Sequence, residues 1–537
     1  MSLNSDAATT IEAFSDREVA PLVFDQMAPL RAEVFQTTEP VAYGEAIMAS
    51  YRPVEPGWRW GPVWSNAWFR LTGTVPDAIG GRRICLRFSS GTEALLWDRG
   101  VPFHGLDLNH DVARLPLDAR SSDRVTLYVE AACNRPLGAT TFFWDDAAEV
   151  ARWKEELPGR FDGAALVTVD EDVWRLRHGL TFAARVLRLL DAGDAHAAEM
   201  RGQIESAILL LKERGVTCGA REAMTTIRGA VRRKRGMTTT RCHAVGHAHI
   251  DTAWLWRLRE TRRKCLRTFA TALEMMERFP QFRFLCSQAQ QYSWVERDSP
   301  ELFARLRARV MQGRWEPGGA MWIEPDCNVP SGEALIRQVL HGTRYWRERF
   351  GGNGEQTYLY LPDTFGFPAS LPQIIAQAGL RTFITNKLGW NETNEFPHST
   401  FFWRGIDGTQ VLSHCTPGME YNSTLTPAEL KKGESNHLKR DEGRTGDWLQ
   451  PFGYGDGGGG PTDWMVLEAE LASDCDGLPG VEFSDARSFC ERLHSGAADL
   501  KARAIQLPVW EGELYLERHR GTYTTQAWIK RANRLAE

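Results

Sequence analysis

The sequence predicts an α/β protein in which a parallel, barrel-like β/α domain follows a small antiparallel β domain and a helical segment. Short alternating runs such as AWFRLTGTV and RVTLYVEAA, separated by turn residues, are typical of antiparallel strands between about residues 66 and 134. A helical period follows from about residue 165 to about residue 235. From residue 241 onward, short apolar runs alternate with helical segments, which indicates parallel βαβ units.

The apolar runs of this last region give the expected strands, which are Cys242–Gly246, Phe282–Ser287, Thr357–Leu361, Thr382–Thr385 and Gln410–His414. We expect the first and the third of these strands to lie in one sheet. One helix should begin at Pro300, with Ser299 as its cap, and end before Gly313. A second helix should begin at Pro372 and end near Gly379.

Composition and charge indicate which kinds of partner the protein binds and in which cellular compartment it resides. The 537 residues carry a formal net charge of −5, which gives no indication of a nucleic-acid or membrane partner. The N-terminus has neither the basic nor the apolar segment of a secretory signal, and no run of about 18 apolar residues occurs. Ten cysteines without C-x-x-C spacing suit reduced thiols, so we expect a cytoplasmic protein. The sequence leaves a homo-oligomer open.

Potential metal ligands follow the first of the parallel strands, in CHAVGHAHIDTAW. On an extended backbone, residues two apart point to the same side, so His249 and Asp251 can offer a nitrogen and an oxygen to one ion. The alternative is a hydrogen-bonded pair in the core. The residues alone leave both interpretations open.

A second carboxylate ends a buried strand in LYLPDTFGFP. Asp363 follows Pro362 directly, where the apolar run stops. Aspartate, glycine and proline are common turn residues, so a simple turn explains the segment. The carboxyl ends of parallel strands are also where α/β enzymes place their reacting groups, which makes Asp363 a candidate functional carboxylate.

Six motifs in the second half of the chain resemble those of one enzyme family. They are GHAHIDTAWLW, CSQAQQYSWVE, RWEPGGAMWIEPDCNVPSGEALIRQ, YLPDTFGFPASLPQII, YGDGGGGPT and ELYLERHRGTYTTQ. In this order they closely resemble the cytosolic, class II type of α-mannosidase of glycoside hydrolase family 38. The resemblance runs from about residue 241 to the last residue, and more loosely through the β domain before it.

The resemblance implies a metal site and a nucleophile. It implies that His249, Asp251, Asp363 and His519 bind one divalent ion per chain, a set that suits zinc, cobalt or another such ion. Asp363 would also be the nucleophile. The family's aromatic platforms for substrate match Trp254 and Phe365, residues that without the resemblance are best interpreted as packed core aromatics.

The resemblance also implies a retaining α-mannosidase that removes terminal α-linked mannose from oligosaccharides or other glycosides. Its acid/base is expected at Asp456 in PFGYGDGGGGPT, a segment that is otherwise a flexible glycine loop. Two other functions stay open, a metal-dependent amidohydrolase and a truncated, non-catalytic sugar-binding homologue. The His-x-His after the first strand favours the former, and the short chain favours the latter.

The expected domain limits follow from the pattern and the resemblance together. Residues 1–160 should hold the N-terminal extension and the antiparallel β domain, and residues 161–240 a helical linker region. Residues 241–460 should form the barrel-like catalytic domain. Residues 461–537 should begin the family's helical bundle. The family's further β domains are expected to be absent, because the sequence stops at Glu537.

Overall fold

The structure of the chain is a computed structural model. It describes residues 3–79, 83–115, 122–191, 193–233, 240–441 and 444–537. The chain forms two compact units. The first unit consists of residues 1–232, 253–278 and 456–471, and the second unit of residues 233–252, 279–455 and 472–537. No helix in the described ranges has the length and apolar character that crossing a bilayer requires.

The helices, in chain order, are α1 Leu3–Phe14, α2 Tyr43–Ala46, α3 Ala147–Arg152, α4 Glu171–Leu189, α5 Ala195–Arg214, α6 Val216–Val231, α7 Leu258–Arg278, α8 Ala289–Asp298, α9 Pro300–Met311, α10 Gly332–Phe350, α11 Leu371–Gln377, α12 Pro427–Asp441, α13 Asp463–Ala472, α14 Ala486–Ala502 and α15 Ala527–Ala536. The first strands are β1 Phe24–Pro29, β2 Arg31–Thr37, β3 Arg52–Val54, β4 Arg59–Trp60, β5 Asn66–Thr74, β6 Ile84–Ser89, β7 Glu93–Asp98, β8 Val101–Leu106, β9 Val112–Arg114, β10 Arg124–Ala132, β11 Gly159–Arg160 and β12 Gly163–Val169. The remaining strands are β13 Arg241–His247, β14 Phe284–Cys286, β15 Trp315–Pro317, β16 Tyr358–Tyr360, β17 Thr382–Thr385, β18 Thr400–Arg404, β19 Gln410–Cys415, β20 Asp447–Phe452, β21 Gly480–Phe483 and β22 Val509–Glu511.

The first unit contains the antiparallel strands that the alternating pattern predicts. One sheet has the order β3-β2-β5-β10-β7-β8, and a second has the order β1-β12-β6-β9. Strands β5 and β10 pair along their full length, from Asn66 opposite Ala132 to Thr74 opposite Arg124. Alternate residues of both sheets, such as Phe69, Leu86 and Val129, share one buried core.

The helical segment of the first unit begins later than the sequence predicts. Residues Gly163–Val169 are a strand that pairs with β1 and β6. Its ALVTV run is rich in β-branched residues, which favour a strand. The run is short and directly precedes a long helical pattern, so the pattern alone does not separate the two. The first helix of the segment begins at Glu171, where the Asp170 side chain accepts N–H bonds from Asp172 and Val173 as an N-cap.

The second unit is built on two sheets whose strands are mostly parallel. In one sheet the order is β15-β14-β13-β20, and β21 also pairs with β13. In the other it is β16-β17-β19-β18-β22, with β18 antiparallel to β19. The predicted strands of residues 241–417 are present, and Thr382–Thr385 has the predicted bounds. Both sheets extend beyond residue 460, because β21 and β22 belong to them.

One local prediction for this unit is wrong, and a second is confirmed only in part. Strands β13 and β16 lie in different sheets, because β15 ends at Pro317 and Gly319 turns away with φ +91°. A single hydrogen bond of 3.5 Å, from the Tyr360 N–H to the Gly319 carbonyl, is recorded there, too long to continue a ladder. Helix α9 does begin at Pro300, but the Ser299 side chain makes no capping hydrogen bond.

Candidate active site

Three of the predicted site residues meet at the carboxyl ends of parallel strands in the second unit. His249 and Asp251 follow β13, and Asp363 follows β16 after a two-residue extension. Each of the three offers a ligand atom, and these atoms all lie within 4.8 Å of one another. The carboxyl ends of strands in both sheets therefore contribute to one cluster, as the strand-end argument predicts.

The segment that carries His249 is fixed by two amide side chains that come after β14, one from the loop and one from α8. The Ile250 carbonyl accepts hydrogen bonds from Gln288 Nε2 at 2.9 Å and Gln291 Nε2 at 2.7 Å. Gln288 follows β14 and has a left-handed backbone, with φ +74°, which turns its side chain back toward the strand end. His247 Nδ1 lies 2.8 Å from the Leu285 carbonyl on the same strand. The segment that carries His249 is thus held at several points by the protein itself.

His249 is the centre of the cluster. Its Nε2 lies 3.2 Å from Asp251 Oδ1 and 3.5 Å from Asp363 Oδ2. Its Nδ1 lies 3.2 Å from Oε2 of Glu324, a residue that the sequence analysis did not select. The His249 side chain is 2% exposed, so three carboxylates surround a buried imidazole.

Glu324 connects two members of the cluster. It follows β15 in the motif MWIEPD, and its side chain is 7% exposed. One oxygen faces His249, and the other accepts the backbone N–H of Asp363. The Thr364 hydroxyl donates to the same Glu324 oxygen at 3.3 Å. A single carboxylate therefore contacts both His249 and the segment that carries the candidate nucleophile.

The electrostatics of the cluster favour a cation. Burial lowers the pKa of the His249 imidazole, but its carboxylate neighbours, led by Glu324, raise that pKa well above the ordinary value. Burial raises the pKa of the Glu324 carboxyl to about 7. Burial would also raise the pKa of Asp363, yet the hydrogen bonds and charges of His249 and Lys387 hold it below the usual range. The surrounding negative charge thus stabilises positive charge at its centre.

The donor set fits a divalent metal ion. One imidazole nitrogen and carboxylate oxygens are ligands of zinc and of similar ions. His249 Nδ1 and Glu324 Oε2 are buried and have no hydrogen bond, although they lie 3.2 Å apart. A carboxylate behind the far nitrogen of a metal-binding histidine is a common arrangement, because it fixes the ring and raises its basicity.

Phe365 and His519 lie against each other in the same unit. Their ring centroids are 5.1 Å apart at an interplanar angle of 65°. His519 is exposed and has a left-handed backbone with φ +58°. Within the described ranges, no group of three or more potential ligands includes His519, so its predicted role as the fourth ligand stays a prediction.

Asp456 and Trp254 belong to the first unit, and Trp254 follows Asp251 closely in sequence. Asp456 follows Gly455, at which an added Cβ would lie 3.2 Å from the His249 Cβ. Its φ is +57°. Trp254 is 48% exposed, and its ring centroid lies 6.0 Å from that of Phe142. The predicted roles of both residues stay predictions.

The motifs that carry this cluster lie in a segment that matches a known family. Residues 239–513 match the Glycosyl hydrolases family 38 N-terminal domain. The chain belongs to glycosyl hydrolase family 38. Residues 28–153, within the antiparallel strands of the first unit, match the Alpha-mannosidase, jelly roll domain. The family that the motifs predict is thereby confirmed.

Curated relatives match this family 38 chain over nearly its whole length. Alpha-mannosidase 2C1 of Homo sapiens is 37% identical over 98% of the chain and 49% of its own length. Alpha-mannosidase G of Dictyostelium discoideum is 35% identical over 95% of the chain and 46% of its own length. Alpha-mannosidase of Saccharomyces cerevisiae is 31% identical over 89% of the chain and 45% of its own length. The chain spans about half the length of the curated relatives it matches.

Two residues that contact the predicted site residues were not predicted from the sequence. Glu324 follows β15, and Lys387 follows β17 and pairs with Asp363. Both lie beyond the carboxyl ends of strands, so the argument that selected Asp363 also applies to them. A charged residue after an apolar run is a weak signal that both share, but it does not identify their partners.

Proposed function

We propose that this chain carries the catalytic site of a metal-dependent, retaining α-mannosidase. The observation that carries the proposal is the cluster of His249, Asp251 and Asp363 at the strand ends. Membership of family 38 and relatives named alpha-mannosidases support it. The proposed substrate is an oligosaccharide or another glycoside with a terminal α-linked mannose.

Asp363 is the proposed nucleophile. One of its carboxylate oxygens forms a bond to the anomeric carbon while the bond to the leaving oxygen breaks, and Asp456 gives its proton to that oxygen. In the second step a water oxygen bonds to the anomeric carbon, and the electron pair of the ester bond returns to Asp363. Asp456 takes the proton of the water. Two displacements at one carbon retain its configuration.

His249, Asp251 and Asp363 are the proposed metal ligands, with His519 as the fourth. A bound zinc, cobalt or similar ion, one per chain, supplies Lewis-acid contacts to vicinal hydroxyls of the terminal sugar. The ligand residues must be deprotonated to bind the ion. The raised pKa of His249 favours its protonated form, so acidic pH should weaken metal binding. Metal analysis of a His519→Ala variant tests the fourth ligand, since a true ligand is needed for full metal content.

Phe365 and Trp254 are the proposed aromatic platforms for the sugar. A flat ring covers the apolar face of a pyranose. Phe365 lies two residues after the proposed nucleophile, and Trp254 has an exposed ring. We further infer that the strands from residue 241 onward close into a barrel-like catalytic domain that includes β21 and β22, beyond the predicted limit of residue 460. We also infer that a helical bundle begins in the last part of the chain and that the protein is cytoplasmic. Shared strand-end chemistry in both sheets supports the barrel-like arrangement.

The rival functions differ from this proposal in measurable ways. An amidohydrolase would use a different set of strand-end histidines, and family 38 membership argues against it. A sugar-binding homologue without activity would keep substrate affinity and the metal but would form no product. A single assay of α-mannoside hydrolysis therefore distinguishes the proposed function from both rivals, because neither rival would release product.

The test is hydrolysis of an aryl α-mannoside by the purified chain. The proposal predicts release of the phenol, loss of activity with a chelator, and recovery with zinc or cobalt. An aryl β-mannoside and an aryl α-glucoside serve as substrate controls, and Asp363→Asn serves as the protein control. Turnover unaffected by Asp363→Asn, or binding of mannose without turnover, would contradict the proposal.

A further inference from the structure

Lys387 is a buried lysine beside the proposed nucleophile. It follows β17, whose neighbour β16 leads to Asp363, and the two strands are parallel with Tyr360 opposite Ile384. Their carboxyl ends therefore reach the same edge of the sheet. The Lys387 side chain is 1% exposed, and its Nζ donates a hydrogen bond to Asp363 Oδ1.

Three aromatic rings surround the Lys387 ammonium. Its Nζ lies 3.3 Å from the ring centroid of Trp390, 4.9 Å from that of Phe365 and 5.5 Å from that of Tyr421. The faces of such rings attract a cation, and the attraction is strongest where water is excluded. The cage thus replaces hydration water and keeps the charge at one place, next to Asp363.

The two oxygens of Asp363 have different partners. Oδ1 accepts a hydrogen bond from Lys387 Nζ, whereas Oδ2 lies 3.5 Å from His249 Nε2. The backbone N–H of Asp363 donates to Glu324, which fixes the base of the same side chain. Rotation of the carboxylate would break at least one of these contacts, so its orientation is set before substrate binds.

We propose that Lys387 is a positioning residue that holds Asp363 and stabilises it as the departing carboxylate when the glycosyl ester is hydrolysed. This inference rests on the function proposed above. When water attacks the anomeric carbon, the bond from that carbon to Asp363 breaks and its electron pair returns to the carboxylate. The ammonium stabilises this returning negative charge. In the ester the side chain is neutral and gains less from Lys387.

The difference between ester and carboxylate predicts which step depends on Lys387. Without the ammonium, the ester becomes more stable relative to the free carboxylate, and its hydrolysis slows. We expect kcat of Lys387→Met to fall by about ten- to a hundredfold, the loss typical of a charged hydrogen-bonding partner. Because the ester then accumulates, KM should fall with kcat. The contacts of Asp363 with His249 and Glu324 remain and keep its orientation, so kcat/KM should change much less than kcat.

The experiment compares the wild-type chain with Lys387→Met, Lys387→Gln and the control Lys439→Met. Lys439 is an exposed lysine with a surface partner, Glu395, so its loss tests the exchange of lysine for methionine alone. Rapid-quench mass spectrometry should find the ester on Asp363 at steady state in the Lys387 variants and not in the control. Lys387→Gln keeps a hydrogen-bond donor and serves if the methionine variant does not fold.

A fall in kcat/KM with unchanged KM, and no ester at steady state, would overturn the proposal. So would loss of metal from a folded Lys387 variant, since that would place its role at the metal.

A thermal double-mutant cycle tests the pair without any turnover. Wild type, Lys387→Met, Asp363→Asn and the double variant are unfolded with a chelator present, so that metal loss does not enter. Each single change leaves a buried partner without its counter-charge, so the shift in Tm of the double variant should be smaller than the sum of the single shifts. Additive shifts would overturn the pairing. If the wild type proves inactive, coupling in the cycle still supports the pairing while the proposed function fails.

Discussion

His249 Nε2 and Asp363 Oδ2 lie 3.5 Å apart, at the carboxyl ends of strands in two different sheets. Neither residue is close to the other in sequence, so the strands must be placed correctly for the pair to form. The pair unites the proposed metal site with the proposed nucleophile. Its partners, Asp251 and Glu324, make the centre strongly acidic.

Removing the central imidazole should remove the metal. We expect about one divalent ion per chain in the wild type and little in His249→Ala, because the remaining carboxylates lose their shared nitrogen ligand. Elemental analysis after dialysis measures this. The control is His341→Ala, an exposed histidine on α10. A His249→Ala protein with the metal content of the wild type would show that the ion, if any, binds elsewhere.

Glu324 should control how tightly the ion binds. In Glu324→Gln the amide oxygen can still accept the Asp363 N–H, but the charge behind His249 Nδ1 is lost. Changes of this kind typically weaken metal affinity about 10- to 100-fold. Competition with a chromogenic chelator measures the affinity, with Glu333→Gln on the exposed face of α10 as the control. Equal affinities for both variants would mean that Glu324 does not tune the ligand.

The strand-end residues could be predicted because strands and helices alternate clearly along residues 241–417. His249, Asp251 and Asp363 each follow an apolar run, and parallel strands bring such ends to one edge. Sheet membership could not be predicted from these runs. It depends on Gly319, whose left-handed backbone ends the ladder after β15, and the sequence gives no sign of which glycine does so.

Glu324 and Lys387 were missed because their partners are distant in sequence. Glu324 lies in a segment without regular structure, and no spacing connects it with His249. Lys387 follows Thr382–Thr385, a strand predicted with its observed bounds. Its pairing with Asp363 depends on which strands are neighbours, which the order of the chain does not state. The N-terminal helix Leu3–Phe14 was missed for another reason, because residues 1–55 show no clear period.

A buried carboxylate away from the metal should make stability depend on pH. Glu316 accepts N–H bonds from Ala486 at 2.7 Å and Arg487 at 2.9 Å, at the start of α14. Burial, with the charge of Asp485, raises the pKa of Glu316 to about 7. The unfolded residue has a pKa near 4.3, so between these values the folded state holds a proton that the unfolded state has lost. The free energy of unfolding therefore falls as pH rises through this window.

Glu316→Gln should remove this dependence. Relative to wild type, the free energy of unfolding of the variant should rise by about 2 to 3 kcal/mol between about pH 5 and pH 8. Denaturant unfolding of both metal-free proteins measures the difference, in which titration at the metal site cancels. The exposed Glu333→Gln controls for the exchange itself. If the difference in free energy of unfolding between wild type and Glu316→Gln stayed constant with pH, Glu316 would have the same pKa in the folded and unfolded states, contrary to this prediction.

The most direct test of the whole account is to trap the covalent intermediate in the wild-type chain. A 2-fluoro or 5-fluoro mannosyl fluoride or similar mechanism-based reagent should inactivate the metal-loaded enzyme with a stoichiometry of about one sugar per chain. Peptide mass spectrometry should then find the sugar on Asp363, in LYLPDTFGFP, and the Asp363→Asn protein should take up none. A label on Asp456, or no label on any residue of a preparation that hydrolyses α-mannosides, would contradict the assignment of Asp363 as nucleophile.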